Sequence, residues 1–427
     1  MGFLQVKKRP RLGGLWGWPA ADAARSKVSF NYSIDAAFRM KCDNRVILSS
    51  WTEGRSLSRI TQDQSMQLDS IRALSALIVL FGHTNQTLLL PTLRHGSTVI
   101  GYFTQLSVMV FFVLSGFLIG KSVCNNITKN GAFNFAQYAR DRALRLYPPL
   151  IAALLLMVLL ATAAPYLFPS GTNALLSIPG VKFVRSEYVV VTKDLVGALL
   201  FLNDFKTNTP SANGPLWSLS IEAWYYVAAG ALVIWPTRKW LATGLLLATL
   251  LVTRKHQLFY MLAPIWFAGF GLAFLHQRKP EMNNRLFGWL FVSLTVLLVV
   301  TVLLVWYPNG PVKGVWSDPL NHFRLASGLW FSCFLALLMG GAVRFPIWFN
   351  AHARYSYTLY VTHFPIMLFI LGVSQAFIYG SLLNSFVVAI ATIVIAIAIA
   401  KLFACFLENK TLLQNTASGV KRMVISK

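Results

Sequence analysis

LFGWLFVSLTVLLVVTVLLVW, residues 286–306, runs from Leu286 to Trp306 without a charged side chain. A helix rises about 1.5 Å per residue, so roughly 20 apolar residues cross the ~30 Å hydrocarbon core of a bilayer. The stretch therefore reads as a membrane span. LIAALLLMVLLATAAP (150–165) and FVVAIATIVIAIAIAKLFACF (386–406) read the same way. Across all 427 residues, 56% are hydrophobic and 12% charged, where an ordinary soluble domain carries roughly 25% charged residues. A soluble globular enzyme and a disordered chain are both excluded. The fold class expected is an all-α polytopic membrane protein.

Walking outward, apolar runs predict about ten spans, near 70–90, 98–120, 148–168, 215–236, 239–253, 257–276, 286–307, 323–343, 355–376 and 382–406. The fifth is short. Asp194–Phe205 is apolar but too brief to cross, so it is expected to be interfacial or re-entrant. Placing both termini inside puts about 27 Lys/Arg on the cytoplasmic side and about 8 outside, the asymmetry of the positive-inside rule. Both termini are expected in the cytoplasm, with the chain in the inner or plasma membrane. The formal charge of +24 is explained by these short basic connections. No basic stripe with stacking aromatics is present to hold a polynucleotide, so no nucleic-acid partner is expected.

Three segments follow: a polar tail at 1–65, expected to be disordered because it has too few apolar residues for a core; the membrane domain at 66–406; and a short cytoplasmic tail at 407–427. Met66 opens directly onto the first span and is an alternative start, which makes residues 1–65 dispensable on that reading. The four cysteines have neither CxxC nor paired spacing, so no metal and no disulfide framework are expected.

Ionisable side chains at membrane depth are costly and are functional candidates by default. Arg72 and His83 share the first span, LDSIRALSALIVLFGH, whose start Asp69 or Ser70 is positioned to cap. Eleven residues are about 1,100° of rotation, three turns plus ~20°, so both leave one face ~16 Å apart. Snorkelling to headgroups is the other reading of Arg72, and an interhelical hydrogen bond that of His83. Glu222, in GPLWSLSIEAWYY, lies ~10 Å below the outer surface and needs a partner; Ser218, four residues earlier, shares its face. His83, ~20 Å above the inner edge, reaches nearly the same depth. Trp217, Trp224, Tyr225 and Tyr226 read as an interfacial belt. His363 sits near mid-membrane in ARYSYTLYVTHFPI, either a satisfied core histidine or a functional one.

On the loop side, YARDRALRLYPP (138–149) places Arg142 and Arg145 at i, i+3 on a cytoplasmic interfacial helix. That helix suits either anionic lipid or a phosphate-bearing ligand. VFFVLSGFLIG (110–120) places Ser115 and Gly116 where small residues let helices approach closely. P-loop, GxSxG, HExxH and dinucleotide motifs are all missing.

Taken in order, Arg-x10-His, FFVLSGF, RALRLYPP, WSLSIEAWYY and YSYTLYVTHFPI resemble the integral-membrane acyltransferase family 3, whose members O-acylate sugars of surface polysaccharides. The resemblance covers about 66–405. It implies ten helices, no bound cofactor, cytoplasmic acyl-CoA (acetyl-CoA above all) as co-substrate, and a sugar, glycolipid or polysaccharide hydroxyl as acceptor. Arg72 and His83 match the family's Arg–His pair, Arg142 and Arg145 its basic motif, and Glu222 the first acid of Ser-Ile-Glu-Glu; the second position here is Ala223. On this reading His83 is the base that activates the hydroxyl, oriented by Glu222 or another polar group, with an acyl-His intermediate as the alternative. The three arginines hold the donor phosphates, and Ser115, Trp217, Ser218, Tyr360 and His363 are candidate pocket residues. The alternative is a transporter or flippase of a lipid-linked sugar, with His83, Glu222 and His363 as a proton relay.

Overall fold

The computed structural model describes residues 59–93, 97–175, 185–306, 314–378 and 380–408. The expected tails lie outside these residues except for their inner ends. Eleven helices carry the fold: α1 Gln62–Thr84, α2 Ser97–Asn130, α3 Phe135–Leu167, α4 Thr192–Leu199, α5 Leu216–Ile234, α6 Lys239–Thr253, α7 Gln257–Arg278, α8 Asn284–Trp306, α9 Pro319–Met339, α10 Ser356–Ile378 and α11 Leu382–Leu407. The protein is an all-α polytopic membrane protein. Among the described residues nine helices are long and apolar enough to span a bilayer, and α6 is a shorter apolar helix.

The short helix leads from the end of α5 to the 185–213 segment. Take the end where α1 begins as the lower end. Gly230, near the end of α5, packs on Phe135 and Tyr138 of lower α3. After α6, His256 packs its ring 5.0 Å from Phe205 in the 185–213 segment, and Lys206 Nζ donates to Leu251 O at 3.1 Å. At about 1.5 Å per residue α6 covers roughly 22 Å, short of the ~30 Å hydrocarbon core. Among the described residues nine candidate spans and this shorter helix result, and α4 lies in the region where the sequence places its interfacial stretch.

Three boundaries differ from the sequence reading. First, α1 starts at Gln62 rather than near Met66. Thr61 caps it in a reciprocal capping box: its hydroxyl accepts from Gln64 N at 3.2 Å, and Gln64 Oε1 accepts from Thr61 N at 3.0 Å. Asp69 and Ser70 therefore have other roles: Asp69 pairs with Arg72, and Ser70 Oγ accepts from Phe349 N. Gln64 Nε2 also donates to Met339 O at 3.0 Å, so a chain begun at Met66 would lose both the cap and this tie to α9. Second, the basic stretch 138–149 is not a separate interfacial helix. It is the first half of α3, which runs unbroken through Pro148 and Pro149. Third, α2 extends to Asn130, so the connection to α3 shrinks to a tight turn.

Burial separates inner helices from lipid-facing ones. Only 6% of the most apolar stretch of α8 is buried, against 72% for α2, so α8 turns apolar side chains outward on nearly every side, as a lipid-facing helix does. Two hydrophobic cores form, one mainly from α1, α3, α5, α10 and α11 and the other mainly from α1, α2, α5, α7 and α9. Phe111, Tyr226 and Tyr360 pack against both, which puts them on the seam.

The α2–α7 crossing is set by paired glycines. A Cβ on Gly116 would lie 2.0 Å from Trp266 O, and one on Gly269 2.1 Å from Val113 O. Backbone meets backbone there, so no side chain can yield. Gly269→Ala is expected to lower the unfolding midpoint by several degrees, the range for about 1–3 kcal/mol of overpacking in a chain of this size. Thermal unfolding in detergent checks it; an unchanged midpoint would mean that the helices separate freely.

Candidate functional site

The crossing that brings α2 against α7 also places Trp266 beside Ser115. Trp266 Nε1 donates to Ser115 Oγ at 3.1 Å, and the Ser115 hydroxyl in turn donates to Glu222 Oε1. Tyr226, one turn along α5, donates to the same oxygen and lies 3.1 Å from Ser115 Oγ. Glu222 is thus held by two hydroxyls within the bundle, which offsets part of the cost of burying it. Its partners are Ser115 and Tyr226 rather than Ser218. Ser218 instead donates back to Pro215 O at 3.2 Å and lies 2.5 Å from the Tyr360 hydroxyl.

The belt reading of the aromatic residues is also corrected. Trp224 donates to Phe201 O, Tyr225 to Phe259 O, and Tyr226 to Glu222. Trp217 stacks on Phe112 and lies under the Arg324 guanidinium, 5.7 Å from ring centroid to Cζ. All four are occupied inside the protein.

A cavity of about 520 Å³ opens at the lower end. Arg72, Arg142 and Arg145 line it together with Asp141 and Glu408, and farther in it meets Ser115, Ser218, Glu222 and Tyr360. The structure therefore gathers α1, α2, α3, α5, α10 and α11 around one space, and seven expected site residues share it. The arginines differ in how far they are engaged. Arg145 Nη1 pairs with Glu408 Oε2 at 2.9 Å and lies over the Tyr357 ring. Arg72 Nη2 pairs with Asp69 at 3.1 Å and donates to Ala353 O at 3.2 Å. Arg142 reaches only Ser122 Oγ, at 3.3 Å, and makes no ion pair among the described residues.

His83 and His363 lie just beyond this cavity. Their rings stack with centroids 5.4 Å apart and planes 27° off parallel, and Phe364 meets His83 edge-on. The His363 ring is 6.1 Å from that of Tyr360, which does line the cavity. His363 Nδ1 lies 3.0 Å from Leu359 O. A carbonyl only accepts, so Nδ1 carries the proton and Nε2 holds a lone pair. That Nε2 is buried without a hydrogen-bond partner among the described residues. His83 Nδ1 lies 3.3 Å from Gln86 Oε1, and Gln86 belongs to a π-helical turn, Asn85–Leu89, a distortion often found at functional sites. Another local tie fixes α10 here. Pro365 has no N–H to give to Val361 O, and Asn213 Nδ2 donates to that carbonyl instead at 2.8 Å.

The expected hydrogen bond between His83 and Glu222 does not form. Glu222 accepts from α2 and from its own helix, whereas His83 faces α10. Counting residues gives depth but not azimuth, and each residue turns a helix by about 100°. His363 is the neighbour of His83. Arg72 and His83 also divide between the cavity and the layer behind it.

Sequence reasoning missed Glu408, Tyr357 and Trp266. A signal existed for Glu408: an acid at a helix C-terminus opposes the macrodipole and calls for a compensating partner. It finds Arg145 and the Thr358 N–H and hydroxyl, the latter two at 3.1 and 2.6 Å. Tyr226 was also legible as the i+4 neighbour of Glu222.

A multi-pass helical bundle with an arginine-lined cavity leading to buried polar groups defines a membrane protein with an internal reaction or binding chamber. Residues 67–401 match the family profile described as an acyltransferase domain, that of acyltransferase family 3, and the chain belongs to that family. It is a membrane acyltransferase. No curated protein and no solved structure matches the chain.

Proposed function

We propose that the protein transfers an acyl group, acetyl by preference, from acyl-CoA on the cytoplasmic side to a hydroxyl of a sugar, glycolipid or polysaccharide. One observation carries this reading: three guanidinium groups at the mouth of a cavity that runs inward to Tyr360, next to the stacked histidines. Guanidinium groups suit phosphates, and the inner polar walls suit the amide-bearing pantetheine arm. Transfer from a thioester to a hydroxyl needs a base and shielding from water. His83 Nε2 takes the hydroxyl proton while the hydroxyl oxygen attacks the thioester carbonyl. The C–S bond then breaks, and the CoA thiolate leaves and is protonated. Glu222 serves the donor side, where it fixes Ser115 and Tyr226 in the cavity wall.

Membranes holding the protein, given acyl-CoA labelled in the acyl group, are expected to pass label to glycan in proportion to protein. Movement of a lipid-linked sugar without labelling would overturn the reading in favour of transport. The orientation proposed from the basic residues places segment 169–213 outside and the 131–134 turn inside. Single-cysteine labelling of intact cells should modify the former alone, and the reverse pattern would invert the topology.

A further inference from the structure

We infer that a second, smaller cavity at the lower end is the subsite for the nucleotide end of the donor, the adenosine 3′-phosphate of coenzyme A, with Arg72 as the partition between it and the main cavity. The inference rests on the acyl-CoA reading above and assigns the part of the donor that the main cavity does not explain. Coenzyme A is bipartite: a narrow pantetheine arm joins, through a pyrophosphate, to a compact nucleotide bearing a third phosphate. Arg72 lines both the 520 Å³ cavity and a separate one of about 290 Å³, whose other walls are Asp69, Asn350, Ala351, Ala353 and Arg354.

The small cavity is walled by anchored backbone. The 3₁₀ turn Asn350–Tyr355 leads into α10. Phe349 N donates to Ser70 Oγ at 3.1 Å, and Ala353 O accepts from Arg72. The charges divide the work. The Asp69 carboxylate is paired with Arg72 at 3.1 Å, so it does not stand unopposed against a phosphate. For the same reason Arg72 is a poor lone anion site from this side. Arg354 is exposed and makes no ion pair or hydrogen bond among the described residues. Its planar fork is free to take a phosphate in two parallel bonds. Asn350 is half-buried, and its side-chain amide is equally unengaged. An amide offers one donor and one acceptor in the spacing of the adenine N7 and N6 edge. A phosphate-binding arginine and an adenine-reading amide thus share one small space, beside the mouth where the pyrophosphate would meet Arg72 and Arg142.

An anionic lipid headgroup offers the same phosphate chemistry, and the test separates the two sources. The full-length protein in phosphatidylcholine nanodiscs is titrated with coenzyme A, 3′-dephospho-coenzyme A and 4′-phosphopantetheine. Wild type should bind coenzyme A about ten- to a hundredfold more tightly than the dephospho form, the range for one charge-assisted phosphate contact. Arg354→Ala should bring coenzyme A down to the dephospho level and leave phosphopantetheine unchanged. Arg354→Lys should recover only part, because an ammonium lacks the fork. Equal binding of coenzyme A and its dephospho form by wild type would overturn the inference. So would an equal loss on all three ligands in Arg354→Ala. If Arg354→Ala leaves coenzyme A binding intact and loses only retained phosphatidylglycerol, the cavity is a lipid site and the inference falls. Binding of none of the three by wild type would overturn the donor reading and the subsite with it.

Discussion

His83→Ala is expected to slow acyl transfer by about a thousandfold, within the range attributed to a positioned acid–base group. Donor affinity should change little, because His83 stands behind the cavity and does not line it. The two readouts separate chemistry from binding: single-turnover transfer of labelled acyl groups, and coenzyme A titration of the same preparation. A rate within tenfold of wild type would remove His83 from the base role. The neighbour matters as well. His363 keeps Nδ1 on Leu359 O and presents a lone pair at Nε2, so it stacks on His83 without donating to the atom that takes the proton.

The second large effect is expected at Arg142. Of the three guanidinium groups at the mouth it is the one with no carboxylate partner among the described residues. A phosphate therefore gains most of its charge. Arg145 must share its charge with Glu408, and Arg72 with Asp69. Arg142→Ala should weaken coenzyme A binding by roughly ten- to a hundredfold, the equivalent of about 1.5–3 kcal/mol for a charge-assisted contact. Arg145→Ala should lose less. Arg72→Lys should lose more than its conserved charge suggests, since two of its present bonds come from one planar nitrogen at fixed angles. Titration of the three variants gives the order directly. If Arg145→Ala proves worst, Glu408 is displaced on binding and the ranking by engagement is wrong.

Hydropathy by itself determined the fold class and the nine long apolar helices among the described residues, because bilayer thickness acts on composition along one dimension. Motif order determined the family, and residue spacing determined depth along each helix. The limits of that reading are visible at Glu222. Its level was countable, but its partner depended on the α2–α7 glycine crossing, which brings Trp266 to Ser115 and so Ser115 to Glu222. At the lower end, Glu408 meets Arg145 across 263 residues of sequence. Pairing across helices is an azimuthal fact set by close packing of many side chains, and no local window of sequence contains it. Tertiary structure alone decided that the arginines and Glu222 share one cavity while His83 and His363 stack beyond it.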